Sequence, residues 1–279
     1  MPSITPSVST TTRLARVSYL NSAPFFHALR LNERCEVTDG TPRELGLRAA
    51  SGELDAGLLP LVDYFRLAER FERLGPFGIA VRGRARSALL FSRKPIRQLE
   101  GAVIAVTEDT STTLQLLRLL LETRYKILPA AYERRLHAEK RSQNVPAPHE
   151  RRQESEADAL LLIGDEALRF KQANAQYPFE IDLGFEWWLW QHLPFVFAVW
   201  AVRADAPAQE HKELELAVSR ALGGNLNHLD AIAQEHAPRL NLAPEVLQDY
   251  LSGFIYRLSQ PEEEGIAQFK KLLHEHHLL

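Results

Sequence analysis

Short apolar runs alternate with stretches of helical period along most of the chain, a pattern that predicts an α/β fold rather than an all-helical one. Residues 14–20 read as the first strand and 24–31 as the helix after it. In Thr41-Pro42-Arg43-Glu44 the threonine can cap a helix, the proline takes its first position and the glutamate closes a capping box. That helix stops near Gly52, residues 54–59 form the next strand, and Pro60 opens a short helix, PLVDYFRLAERF. The stretch IAVRGRARSALLFS holds two strand-like pieces broken at Gly83. Residues 101–106 (GAVIAV) are almost wholly apolar, as in a strand covered on both faces. They run through TEDTSTT into a leucine-rich helix, LQLLRLLLE. Residues 159–163 (ALLLI) are a second such strand, turning at Gly164-Asp165 into a helix, and 195–202 (FVFAVWAV) are a central-strand candidate. From Pro207 onward the pattern is helical, with breaks near Gly223-Gly224 and Ala243-Pro244.

The order of these elements predicts two lobes, with a ligand cleft where strand C-terminal ends meet helix N-termini. Residues 13–92 with 198–279 form one lobe and 93–197 the other, so that two chain crossings make a hinge; residues 1–12 read as a frayed tail. The charged stretch from 131 to 157 reads as a solvated helix plus a mobile loop.

Composition narrows the function classes. The 279 residues are 45% hydrophobic and 25% charged, those of an ordinary soluble globular protein. A net charge of −3 gives no global basic field for nucleic acid. No apolar run reaches membrane-spanning length, the N-terminal residues lack the apolar segment of a secretory signal, and a lone Cys35 fits a reducing compartment. A cytoplasmic protein without nucleic-acid or membrane partners is therefore expected. No CxxC, HExxH or other metal-ligand spacing occurs, no Gly-rich phosphate loop with lysine, no dinucleotide fingerprint and no assignable Ser-His-Asp set.

Candidate chemistry lies at the strand ends. Asn21 or Ser22 can simply cap the helix that Pro24 opens; either can equally offer polar atoms to a ligand where free backbone N–H groups converge. The run Thr107-Glu-Asp-Thr-Ser-Thr-Thr113 supplies more hydroxyls than capping needs, and at a helix start Thr110, Ser111 and Thr112 can hold a carboxylate or phosphate. Arg82, Arg84 and Arg86 share one face if their strand is regular, a face that is usually just solvated. Ser87 begins the strand leading into the crossing. Asp165 is a helix cap, a contact to a ligand hydroxyl or a residue that orients a neighbour, and Asp182 and Glu186 sit within an aromatic cluster that is more often core than cofactor box.

Taken together, VSYLNSAPF, GELDAGLLPLVDY, RSALLFSRKPI, DTSTTLQLL, LLIGDEAL and DLGFEWWLWQHLPFVFAVW, in this order across residues 13 to 204, resemble the chorismate dehydratases of the futalosine route to menaquinone. They resemble more distantly the sister enzyme that makes 1,4-dihydroxy-6-naphthoate, and the Tyr-Leu-Asn form of the first motif favours the dehydratase branch. The resemblance implies a two-lobe periplasmic-binding-protein-like type II fold, conversion of chorismate to 3-(1-carboxyvinyloxy)benzoate with loss of water, and no metal or organic cofactor. Two features depart from the family pattern, the basic Gly83-Arg-Ala-Arg-Ser87 and the charged segment around 135–155, which looks like an insertion.

Chorismate carries two carboxylates, so its site needs hydrogen-bond donors. On this reading Thr110, Ser111 and Thr112 hold one carboxylate, Ser87 assists from the first lobe, and Asn21 bonds the departing hydroxyl or the ether region. No protein base is evident, and the enolpyruvyl carboxylate of the substrate can serve instead. A solute-binding protein of the same fold is the non-enzymatic rival.

Overall fold

The computed structural model describes residues 11–31, 33–135 and 157–279. In chain order the strands are β1 Thr12–Val17, β2 Cys35–Gly40, β3 Ala56–Pro60, β4 Phe71–Val81, β5 Ala88–Ser92 and β6 Val103–Thr107. After them come β7 Ala131–Arg135, β8 Ala159–Ile163, β9 Phe179–Asp182, β10 Phe195–Arg203 and β11 Ile255–Arg257. Two sheets result, one ordered β11-β4-β10-β3-β1-β2 and the other β7-β6-β8-β5-β9. In the first sheet β1 runs parallel to β2 and β3, whereas β10 runs antiparallel to β3 and β4. The second repeats this plan, with β6 parallel to β7 and β8, and β5 antiparallel to β8 and β9. The chain thus enters the second sheet through one antiparallel strand, β5, and returns to the first through another, β10.

The apolar runs become the covered strands, because a strand buried on both faces has no use for alternation. Every residue of β3, β5 and β8 is buried. The capping box forms as expected: Thr41 Oγ1 accepts from Glu44 N–H, Glu44 Oε2 accepts from Thr41 N–H, and Pro42–Ala50 is the helix. Leucines at 114, 116, 117 and 119–121 drive a helical run that starts as Thr112–Arg118 and continues as a wider turn, Leu119–Tyr125. It ends at Lys126 in the left-handed conformation.

The segment after β1 is anchored by aromatic packing. Phe25, fully buried, sets its ring 5.7 Å from Trp200, 5.5 Å from Tyr256 and 6.4 Å from Phe77. Burying that ring stabilises the loop by about 1.5–3 kcal/mol. Asn225 adds a fixed point, its Nδ2 donating to the carbonyl of Pro24 at 3.0 Å.

Several expectations differ from the structure. The first helix is only Ala23–Phe26, after a single turn at Leu20–Ser22. Helix survives here where Phe25 and Phe26 are packed, and it stops where His27, Ala28 and Arg30 face solvent. The three arginines share no strand face, because residues 82–87 form a bent crossing in which Arg86 has φ +62°. Their partners diverge: Arg82 reaches Glu262, Arg84 covers the Phe185 ring and Arg86 pairs with Asp249. Strand Ala88–Ser92, assigned above to the end of the first lobe, lies in the second sheet, and Phe195–Arg203 belongs wholly to the first. Residues 131–135 form a strand beside β6 rather than a solvated helix. Thr12, placed in the tail, already starts β1. The rest of the expected tail, residues 1–10, and most of the charged segment, residues 136–156, lie outside the described residues.

Candidate functional site

Five strand ends meet over one cleft. From the first sheet come the turn after β1 (Tyr19, Asn21), the start of helix Pro42–Ala50 and the end of β3 at Pro60. Opposite them lie Thr110–Thr113 after β6, and Ile163 and Gly164 after β8. Ser87 and Ala88, where the chain enters the second sheet, close one side. The space between them is about 590 Å³ including its open mouth, and Leu58, Ile79, Phe197 and Phe254 give it an apolar wall.

The structure brings Asn21, Ser87, Thr110, Ser111 and Thr112 together around this space. Asn21 Oδ1 and Thr110 Oγ1 are enclosed yet have no hydrogen-bond partner among the described residues, and Thr110 is 1% exposed. An enclosed polar atom left unpaired costs about 1–3 kcal/mol, so such atoms on a cleft wall mark a place where a ligand completes the bonding. Ser111 lies against the carboxyl of Asp63. Burial pushes that carboxyl up from its usual range, while the Ser111 hydroxyl, Arg66 and Arg43 pull it down. Thr112 has a second task, because its Oγ1 accepts from Val62 N–H at 3.1 Å and so ties the helix after β3 to the helix after β6. Its own O–H remains available to donate.

Ser22 and Asp165 sit differently. The Ser22 hydroxyl is turned inward, with Val17 O at 2.5 Å and Tyr19 O at 2.9 Å, and it braces the turn that presents Asn21. Asp165, 3% exposed, accepts from Leu20 N–H at 2.9 Å through Oδ1, and its Oδ2 forms a 2.7 Å ion pair with Arg239 Nη2. Both residues therefore meet the Asn21 turn from behind, and neither lines the cleft.

Other residues were missed by sequence reasoning (Tyr19, Arg134, Tyr250) or noted there without this role (Gly164, Asp182). Tyr19 lines the cleft and its Oη lies 3.4 Å from Asp109 Oδ2. Burial, reinforced by Asp109, Glu166 and Asp165, pushes its phenol well above the ordinary tyrosine range, so it stays neutral. Gly164 has φ +58°, and a Cβ there would stand 2.5 Å from the Tyr19 ring. Only glycine allows that approach. Asp182 pins the 82–87 crossing: it accepts from Ala85 N–H (3.0 Å), Arg86 N–H (2.7 Å) and Phe185 N–H (3.1 Å). Burial raises its carboxyl, and those three donors work against the rise. Tyr250 Oη lies 2.7 Å from Ser87 Oγ. Positive charge reaches the Thr110 loop from behind, where Arg134 Nη1 donates to the carbonyls of Glu108 (3.1 Å) and Thr110 (3.4 Å).

The chemistry open to this arrangement is limited by what lines it. Among the described residues no carboxylate, imidazole, ammonium or guanidinium faces the cleft, and no group of three His, Cys, Asp or Glu side chains could hold a metal ion. Amide, hydroxyl and helix-start N–H groups remain, which suit an anionic molecule with hydrogen-bonding oxygens.

The chain matches a protein family described as menaquinone biosynthesis over residues 12–275. It is 33% identical over 269 residues to the chorismate dehydratase of Thermus thermophilus, an alignment covering 91% of this chain and 92% of that protein. Among solved structures, protein AF1704 from Archaeoglobus fulgidus superposes with a TM-score of 0.76 at 18% identity, over 96% of this chain and 98% of that one. The alkanesulfonate-binding protein SsuA from Xanthomonas axonopodis pv. citri, bound to MOPS, gives 0.63 at 16% identity over 96% and 93%. The fold is thus that of the periplasmic binding proteins.

Proposed function

The chain belongs to the menaquinone-biosynthesis family, and with that as premise we propose that it dehydrates chorismate to 3-(1-carboxyvinyloxy)benzoate. The carrying observation is a cleft walled by Asn21, Ser87, Thr110 and Ser111, with enclosed amide and hydroxyl oxygens left unpaired and, among the described residues, no ionisable group other than the neutral Tyr19. Chorismate fits this set: two carboxylates for the hydroxyls and helix-start N–H groups, and an unsaturated ring for the apolar wall of Ile79, Phe197 and Phe254.

The reaction needs little from the protein beyond placement, because it ends in an aromatic ring. The C–H bond at the ether-bearing ring carbon breaks, its electron pair becomes the third ring double bond, and the neighbouring C–O bond breaks. The enolpyruvyl carboxylate takes the proton and returns it to the departing hydroxide, so one water leaves and charge is unchanged. Thr110, Ser111 and Thr112 hold one carboxylate, Ser87 bonds an acceptor oxygen from the other side, and the Asn21 amide bonds the leaving hydroxyl. Orienting the bonds that break is the principal catalytic contribution.

The futalosine route and a cytoplasmic location belong to this proposal; the described residues contain no helix long and apolar enough to cross a membrane. So does a division into two lobes, for which the sheet membership of β5 and β10 supports crossings at 82–87 and 183–194. The sister reaction, on a larger nucleoside-derived substrate, is less well supported, since no histidine lines the cleft among the described residues. Incubation with chorismate, followed by mass spectrometry and ultraviolet absorbance, tests the proposal. Loss of one water with aromatic absorbance is the expected result; chorismate recovered unchanged refutes it.

A further inference from the structure

Ser87 is tied down through its carbonyl, its hydroxyl and the residues before it. Its carbonyl accepts from Gly164 N–H at 2.8 Å, and the two residues before it are pinned through their N–H groups by Asp182. Its hydroxyl lies 2.7 Å from Tyr250 Oη, a contact in which either oxygen could donate. Tyr250 comes from helix Pro244–Ser252, 163 positions further along the chain, and is 2% exposed. The ring of Phe254 lies 5.0 Å from it and is itself packed against Tyr256.

Enclosure decides the direction of this bond. The Tyr250 hydroxyl has no hydrogen-bond partner but Ser87 among the described residues. If Ser87 donated, the phenol proton would be buried with no acceptor, a costly arrangement. If Tyr250 donates, its proton is satisfied, and the Ser87 proton is released toward the cleft that Ser87 lines. Burial also keeps the phenol protonated, pushing it far above the ordinary tyrosine range.

We infer that Tyr250 is a positioning residue that fixes Ser87 as a hydrogen-bond donor, so that the substrate atom facing Ser87 is an acceptor, a carboxylate oxygen. The inference rests on the dehydratase reading for the identity of that carboxylate. It also separates Ser87 from Thr110 and Asn21, whose oxygens have no protein partner to set their direction.

A double-mutant cycle on the full chain tests it, using Tyr250→Phe, Ser87→Ala and the double variant. Chorismate KM and kcat are read for each, with product affinity by calorimetry and thermal melting as a check of folding. Tyr250→Phe is expected to raise KM and weaken product binding about tenfold with kcat within about threefold, as for loss of an oriented hydrogen bond to a charged group. In the Ser87→Ala background the same change should add less than about twofold, because its effect passes through the missing hydroxyl. Full additivity would overturn the inference and make Tyr250 a packing residue, as would an unchanged KM in Tyr250→Phe when Ser87→Ala raises it. A wild-type protein that leaves chorismate intact would instead defeat the dehydratase reading. The cycle on ligand affinity, read with benzoate-type acids, would then still decide the role of Tyr250: non-additive losses support it and additive ones overturn it.

Discussion

Replacing Asp165 should disable the cleft without touching its wall. The carboxylate receives the N–H of Leu20, a fully buried residue next to Asn21, and pairs with Arg239 from helix Leu229–Leu240. A hydrogen bond to a charged acceptor is worth about 1.5–3 kcal/mol, and removing the acceptor also strands the buried N–H. The Arg239 side chain is 44% exposed, so its ion pair adds only about 0–1 kcal/mol. Asp165→Ala should therefore weaken the hold on the Asn21 turn by about 2–3 kcal/mol, a loss of roughly 30- to 150-fold in kcat/KM if all of it falls on the competent geometry. Asp165→Asn keeps an oxygen for Leu20 N–H and should lose only about fivefold, a neutral bond replacing a charged one. Arg239→Gln should change kcat/KM by less than about threefold. Chorismate kinetics below the melting temperature of each variant give the answer. Asp165→Ala with kcat/KM within twofold of wild type refutes the reasoning, and Arg239→Gln as damaging as Asp165→Ala moves the effect to the ion pair.

Further outcomes follow from the same geometry. Gly164→Ala imposes a left-handed alanine and a Cβ 2.5–2.8 Å from three Tyr19 ring atoms. A loss of about 2–4 kcal/mol in urea unfolding is expected, and an unshifted midpoint would show that the ring moves freely. Tyr256 Oη is buried without a partner among the described residues, so Tyr256→Phe should be neutral or stabilising by up to about 1 kcal/mol at neutral pH. Burial raises that phenol far above the ordinary range, which makes its contribution complete below the free tyrosine value of about 10 and lost as pH rises beyond it. Tyr256→Phe should accordingly flatten the fall of the urea midpoint above about pH 10, and an equally steep fall would count against the buried phenol. Ser111→Ala should raise KM for chorismate about tenfold with kcat within about threefold; a fall in kcat alone would place Ser111 at the bond being broken instead.

What the sequence disclosed tracks how locally each feature is encoded. The strands β3, β6 and β8 and the capping box at Thr41 were legible because their whole signal lies within a few adjacent residues. Strands β2 (CEVTDG) and β7 (AYERR) were not, since each is the edge of its sheet, half exposed and mostly polar. The arginine row shares no face because the condition of a regular strand fails at Gly83, where the backbone bends. At the cleft, Asn21 and the Thr110–Thr112 hydroxyls stood out as surplus polar groups after apolar runs. The partners of the residues that anchor them did not: Asp165, itself a candidate, meets Leu20 across 145 positions, and Tyr250 meets Ser87 across 163. The first pairing arises only where the end of β8 meets the turn after β1 across the two sheets, and the second only once the return strand β10 brings the C-terminal helices onto the first sheet.

The claim at the centre of this account is that the cleft dehydrates chorismate without a protein base, and the pH dependence of kcat for that water loss tests it most directly. Tyr19 is the one ionisable residue lining the cleft among the described residues, and its raised pKa keeps the protonated form present to higher pH than in a free tyrosine. The kcat should therefore be level from about pH 5.5 to about pH 9, since no lining group changes charge in that interval. A limb with an apparent pKa between about 6 and 8 would reveal a titrating acid or base on the enzyme and contradict the account.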